Sequence, residues 1–441
     1  MKIKPIHDES GYLLGYILFL VLLITSILFG MLFLLYSNVI ILSKEIKREK
    51  VRLKTYEIAV EAFANIDNKS AEPEGANVSQ YGLFKTISSK QKLNNDSSAV
   101  LFFVGEKQKP FMSSALTITQ PKLHASVTGS TTINGALSIS GEITRGEIHA
   151  VKSAGKDYLH GVLNRLNTVS GKLFNETVLT NIFDDEFITE GTEDQPAVIG
   201  ANDFSNELLN RSRSGNIYIN DDLAVNKEIH LNNLNNLKIH VNGKLQINSN
   251  IKTLSGISFF STEGITIAEN LVLKNTMLVS PKDITIEENN QFENIQIYSK
   301  ENIKITNSQF MFPSTIGVYV DIKDSTSFDN KIELIGSIVN GSIILINSGV
   351  GVESNESKIK IDSLSKVQGL VYSENYSEIY GEIIGSVYTY KLLFYVGEQM
   401  FVNWLIDLKI NRENLSQWFS LPVGFDEGKP DYQLIDEKWI Y

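Results

Sequence analysis

Three adjacent acid pairs, Asp184-Asp185, Asp221-Asp222 and Glu287-Glu288, hold the residue types of carbohydrate chemistry. Paired carboxylates cleave glycosidic bonds, and in many lyases a basic residue or a calcium ion assists. Neighbours in a strand point to opposite faces, so no pair can by itself converge on one bond, and each reads as solvated turn residues. Six histidines are scattered: His7, His124, His149, His160, His230 and His240. His230 and His240 lie ten apart and are expected to face alike on neighbouring strands. With no Cys and no HxxxH pair, neither a metal site nor a cofactor is assigned. The sequence has no Walker A loop, no strand-linked GxGxxG and no GxSxG elbow. Trp404, Trp418 and Trp439, the three tryptophans, all fall between 391 and 441, where they could stack on a glycan or fill the core of a cap.

The elements that would position these residues are bounded by composition. The chain has 441 residues, enough for two or three domains, and no Cys, so disulfides and thiolate sites play no part. Residues 1–54 hold 8 Lys/Arg against 4 Asp/Glu, leaving 32 against 47, so a +4 head precedes a −15 body. Such a body repels polyanions, which argues against nucleic acid as a partner.

From 12 to 42 run 31 residues without a formal charge. As a helix they reach about 46 Å, beyond the ~30 Å hydrocarbon core, so a membrane segment that tilts or projects is expected. The helix should continue to about 67, with Ile46, Leu53, Tyr56, Val60 and Phe63 on one stripe. That stripe reads either as a coiled-coil seam or as the strip lying against the C-terminal domain.

The short charged leader, the Gly11-Tyr12 junction, the long apolar helix and its amphipathic continuation resemble the N-terminus of type IV pilin-like proteins, in particular PilX-type minor pilins. The resemblance implies cleavage after Gly11 by a prepilin peptidase, Tyr12 as the mature first residue, and other pilin-like subunits as partners. The acid usual at the fifth mature position is replaced by Tyr16. A plain signal anchor is the competing reading. Lys44, Lys47, Arg48, Lys50, Arg52 and Lys54 follow the span, and by the positive-inside rule they would hold the body in the cytoplasm, whereas the pilin resemblance implies export. Export from the inner, cytoplasmic membrane is the expectation adopted.

Beyond the linker the pattern becomes β. Ile265-Thr266-Ile267, Ile284-Thr285-Ile286 and Ile303-Lys304-Ile305 step by 19 residues, with Leu245-Gln246-Ile247 twenty earlier. A second series, Ile257, Met277 and Ile295, steps by 20 and 18. Two faces with one period predict the coils of a parallel, right-handed β-helix, apolar side chains inward and Thr, Lys or Gln outward. Asn232, Asn233, Asn235 and Asn236 would suit its corners. Gly369 and Gly385, with Tyr372 and Tyr388, resemble terminal coils of bacterial surface β-helix proteins with pilin-like stems.

The expected division is a leader (1–11), a stem helix (12–67), a linker and start of the globular region (68–111), first rungs (112–150), an insertion with a helix over 159–174 (151–213), the β-helix (214–390) and a C-terminal cap (391–441). The expected fold is mainly β with one N-terminal transmembrane helix. The expected function is non-enzymatic: a single-pass surface or pilus-associated protein that displays its β-helix for adhesion or assembly, with the lipid bilayer and surface glycan as partners. An anchored polysaccharide lyase or glycosidase and a cytoplasmic, bactofilin-like scaffold are the alternatives.

Overall fold

The computed structural model describes residues 9–67, 73–93, 96–145, 159–165, 172–184, 197–198, 215–230, 237–321, 329–348, 356–425 and 430–440. They form two compact units, one of Met1–Val78, Ile87–Phe102 and Glu437–Tyr441, the other of Ser79–Thr86 and Phe103–Asp436.

The first unit is built on one helix, α1 (Glu9–Ala64), unbroken for 56 residues. Its apolar part is long enough to cross a bilayer and has no side chain buried within the protein. All its backbone polar groups can be satisfied within the helix, as hydrocarbon requires. Past the apolar run, Val51, Thr55, Ile58, Ala59, Ala62 and Ile66 are buried in a helical stripe. Within this unit the buried stripe is therefore not the expected one: Leu53 and Val60 stay exposed and Tyr56 only edges onto Phe102 and Trp439, because the short side chains at 55, 59 and 62 allow closer backbone approach. Thr55 Oγ1 lies 2.8 Å from the Val51 carbonyl and 3.5 Å from that of Ser98.

Part of the expected linker is sheet. Strands Ala76–Tyr81, Phe84–Leu93, Asp96–Glu106 and Tyr432–Ile440 join side by side in that order. Gly82, at φ +54°, and Leu83 make the two-residue turn between the first two, a hairpin connection.

The rest of the second unit is a stack of parallel strands with the architecture of a parallel β-helix. Leu223, Leu245, Ile265, Ile284, Ile303, Ile332 and Ile359 pair in succession, each with its counterpart in the next coil. All seven are buried in one continuous apolar core. The central residues of the triplets point outward, where Lys360 pairs with Glu333 of the preceding coil (3.0 Å), and further coil-to-coil ion pairs, Lys274–Glu293 (2.7 Å) and Lys282–Glu301 (2.6 Å), form elsewhere on the surface. Exposed pairs of this kind contribute little each. Asn270, Asn275, Asn289, Asn294 and Asn307 take positive φ at the corners, and Asn294 donates to Asn275 across coils at 3.0 Å. Asn232, Asn233, Asn235 and Asn236 lie outside the described residues. At another corner a Cβ on Gly385 would come within 1.8 Å of the Gly369 carbonyl, so glycine is required there.

The second apolar series is one residue out of line. Ile257 and Ile295 share a row with Thr276 through the register of their neighbours, whereas Met277 pairs with Ser258 and Gln296. Met277 belongs to a second core on the outer surface of that strand stack, with Phe260, Val279, Tyr298, Tyr319, Ile344 and Tyr372. Equal spacing does not reveal parity, and a one-residue shift turns a strand side chain to the other face.

Stacking order departs from chain order. Residues read as first rungs lie beyond the last coil: Val387 pairs with Leu116, Leu116 with Leu137, and Leu137 with Leu163. The segment read as a cap supplies rungs of its own. Lys409–Asn411 lies between Glu382-Ile383 and Thr132–Asn134, and Trp404–Ile406 pairs with Ala125–Thr128. Within the expected insertion, Leu159–His160 and Leu163–Arg165 are strands, not helix. The helix of this region is α2 (Glu176–Asp184), which packs on the outer face against Val272–Ser280, Gln309–Asp321 and Ile338–Ser348. From Leu173, bonded to Tyr372, to Phe183, beside Tyr319, the chain runs back along the stack, and Ala197-Val198 pairs with Ile217-Tyr218 of the coils that ascend to the N-terminal block.

Candidate functional site

Asp221-Asp222 and Glu287-Glu288 sit at turns. Asp221 accepts the Asp222 N–H at 2.8 Å, and Asp222 accepts that of Lys244 at 2.7 Å, so both serve the backbone of a corner. Glu287 and Glu288 are exposed, and their carbonyls accept from Asn290, Ser308 and Asn270 of the surrounding turns. Asp184 is exposed at the end of α2, and Asp185 lies outside the described residues.

The histidines do not converge. His240 is stacked between Tyr218 (4.4 Å) and Phe260 (4.9 Å) from the coils on either side. His230 pairs with Ser255, in a different strand stack from His240. His124 and His160 are exposed, and His7 and His149 lie outside the described residues. Among the described residues no group of three or more His, Asp or Glu could hold a metal ion.

The tryptophans stand in three different settings. Trp404 meets Phe401 edge to face at 5.3 Å. Trp439 stacks on Tyr56 at 6.2 Å, with the Arg52 guanidinium 4.5 Å from its ring centre. Trp418 is 81% exposed on a loop held at many points: Phe419 is buried beneath it, Gln108 donates to the Ser416 carbonyl (2.8 Å), and Gln433 donates to that of Trp418 (3.1 Å). An exposed tryptophan on a fixed loop is the kind of aromatic surface a sugar face could stack on. Gly11 and Tyr12 lie within α1.

Sequence reasoning missed a buried polar cluster where the chain before α2 meets the outer core. Glu374 is buried and accepts the Asn347 N–H at 3.0 Å and the Tyr372 hydroxyl at 3.2 Å. Tyr372 in turn accepts the Leu173 N–H at 2.8 Å, and Lys172 donates to the Asn347 carbonyl at 2.8 Å. Burial, with Glu176 nearby, pushes the Glu374 carboxyl up to about 7, against the pull of the Asn347 N–H, Lys172 and the Tyr372 hydroxyl. Nothing in the sequence marks it, since Glu374 stands among Ser373, Asn375, Ser377 and Glu378 like an ordinary turn residue.

The neutral form of Glu374 is therefore favoured by folding. Its contribution is fully present below the ordinary value of 4.5 and is lost as pH rises through about 7. Glu374→Gln, which mimics the neutral acid, is expected to flatten this dependence. Melting of the full-length protein in detergent at pH 5 and pH 8 checks it: wild type should lose more than the variant, and equal losses would show that Glu374 does not carry the effect.

No family model and no curated protein matches the chain. Among solved structures, the competence-associated pilin ComZ from Thermus thermophilus is similar at 9% identity and a TM-score of 0.24, with 85% of each chain covered. A TM-score that low carries no argument about the fold, which stands on the strand register.

Proposed function

We propose that this protein is a single-pass, pilin-like surface protein of the cytoplasmic membrane, whose stem anchors a non-enzymatic β-helix displayed outside the cell for adhesion or assembly. The observation that carries the reading is α1 itself: one unbroken helix, apolar and uncovered over its first part, with small residues buried along one side of its second. The Gly11-Tyr12 junction supports its pilin-like character, and the outward rows of Thr, Lys and Gln suit display. Exposed Trp418 is the residue such a surface would offer to glycan. The charges at 44–54 favour the alternative of a cytoplasmic body.

Full-length protein should remain with membranes through high-salt and carbonate washing. An engineered Leu364→Cys, at an exposed position in a chain with no native Cys, should react with a membrane-impermeant thiol reagent in intact cells. Protection until lysis would place the body in the cytoplasm. In a host with active prepilin peptidase, N-terminal sequencing should read from Tyr12, and a bulky residue at Gly11 should leave a precursor 11 residues longer. An intact Met1 on the wild-type protein from that host would exclude processing.

A further inference from the structure

Strand residues of its own unit pack on one side of the stem helix and leave the large apolar side chains of a heptad repeat, Ile46, Leu53 and Val60, exposed on the other. Ile46, Leu53 and Val60 recur every seven residues, with Tyr56 and Phe63 three beyond the latter two, giving the a and d positions of a coiled coil. Ile46 (48% exposed), Leu53 (66%) and Val60 (43%) face outward, and Tyr56, 37% exposed, stands at the edge against Phe102 and Trp439, while the buried stripe runs through 51, 55, 58, 59, 62 and 66. A solvated helix has no reason to keep large apolar side chains at this spacing unless something covers them.

We infer that the covering partner is a second copy of this chain, forming a parallel, in-register two-helix coiled coil over 45–64. The charges flanking the seam select this partner. In a parallel pair, each g residue meets the e residue of the partner's following heptad. Here Glu45 meets Lys50 and Arg52 meets Glu57, so each contact joins opposite charges. Glu49, the polar residue at d, is neutralised by its own Arg52 at 3.5 Å, and a polar residue at such a position favours one register. Arg52 also rests over Trp439, and Tyr56 touches both Trp439 and Phe102 (5.5 Å), so packing beside the seam already orders two of its members.

The inference rests on reading α1 as a membrane stem, which makes copies parallel and raises their effective concentration. Three heptads that would be marginal free in solution can then associate. The apolar face continues without a break into the span, where Val39 and Leu42 hold the preceding a and d positions.

Oxidative cross-linking of full-length single-Cys variants in membranes tests it, since the chain has no native Cys. Side chains at a face their own counterparts, within the disulfide range of about 4.4–6.8 Å between Cα atoms. Leu53→Cys and Val60→Cys should give covalent dimers, whereas exposed Lys54→Cys and Glu61→Cys, one residue on, should not. In the Leu53→Cys background, Lys50→Glu should lower the dimer yield and adding Glu45→Lys should restore it. Equal cross-linking at 53 and 54, none at 53, cross-linking of 53 to a different polypeptide, or no restoration would each overturn the proposal. Carbonate extraction of the same samples separates the causes: variants that stay in the membrane without cross-linking refute the dimer alone, and variants released from it refute the stem as well.

Discussion

Ile284→Asp is expected to destabilise the β-helix by about 5 kcal/mol, combining lost apolar burial with a carboxylate placed in an apolar core. Ile284 is fully buried between Ile265 and Ile303, so neither coil can turn the new charge to solvent. Thr285, the next residue, points outward between Thr266 and Lys304. Thr285→Lys should cost under about 1 kcal/mol, mostly from the like charge of Lys304 in the adjacent coil. Thermal or urea unfolding of the two variants measures the difference directly. If both melt alike, the assignment of inner and outer faces is wrong.

That contrast was legible in the sequence because the Ile-x-Ile triplets keep both parity and period, and a 19-residue step leaves one way to stack them. Met277 shows where period alone fails. Its step matches the inner series, yet it lies on the outer face, and only the strand register reveals this. The same limit hid the outer core. Tyr298, Tyr319 and Tyr372 look in sequence like further inward residues, and their burial depends on distant chain that no local spacing records: Leu83 over Tyr298, Phe183 of α2 beside Tyr319, and Phe111 and Phe425 against Tyr372. Glu374 shares that origin: its environment is made by Asn347 from the preceding coil and by Lys172 and Leu173 from two hundred residues away.

The stem was legible as a helix and not as a surface. Both Leu53 and Val51 have helical spacing, and hydrophobicity favours the larger stripe for the buried side. Within its unit the helix instead buries the side bearing Thr55, Ala59 and Ala62, because backbone can approach short side chains closely, and this leaves Ile46, Leu53 and Val60 exposed. The candidate chemistry was legible mainly by exclusion: adjacent acids in turns do not converge, and Asp221 and Asp222 are occupied with backbone N–H groups.

Ile410→Asp tests the stacking order that the sequence concealed. Ile410 is buried, with Ile383 of the last ascending coil on one side and Ile133 of the N-terminal block on the other. A carboxylate there should cost several kcal/mol, as at Ile284, but the damage should be directional. Stability in a solenoid is a sum of nearest-neighbour interfaces, so coils remote from a broken junction keep most of their own. Hydrogen exchange should show Ser114–Ile118, Thr132–Asn134 and Ala136–Ile139 losing protection, and Ile265–Ile267 and Ile284–Ile286 retaining it. Loss near residue 115 from a change at residue 410 has no explanation if rungs stack in chain order, since nearly three hundred residues of coil would then intervene. Protection lost only around 383–411, with the N-terminal block unaffected, would refute the interleaved order. The interleaving also gives α2 its purpose: a block stacked on the final coil must be connected to the first one, and Leu179, Ile182 and Phe183 bury that stretch of the connection on the outer apolar face.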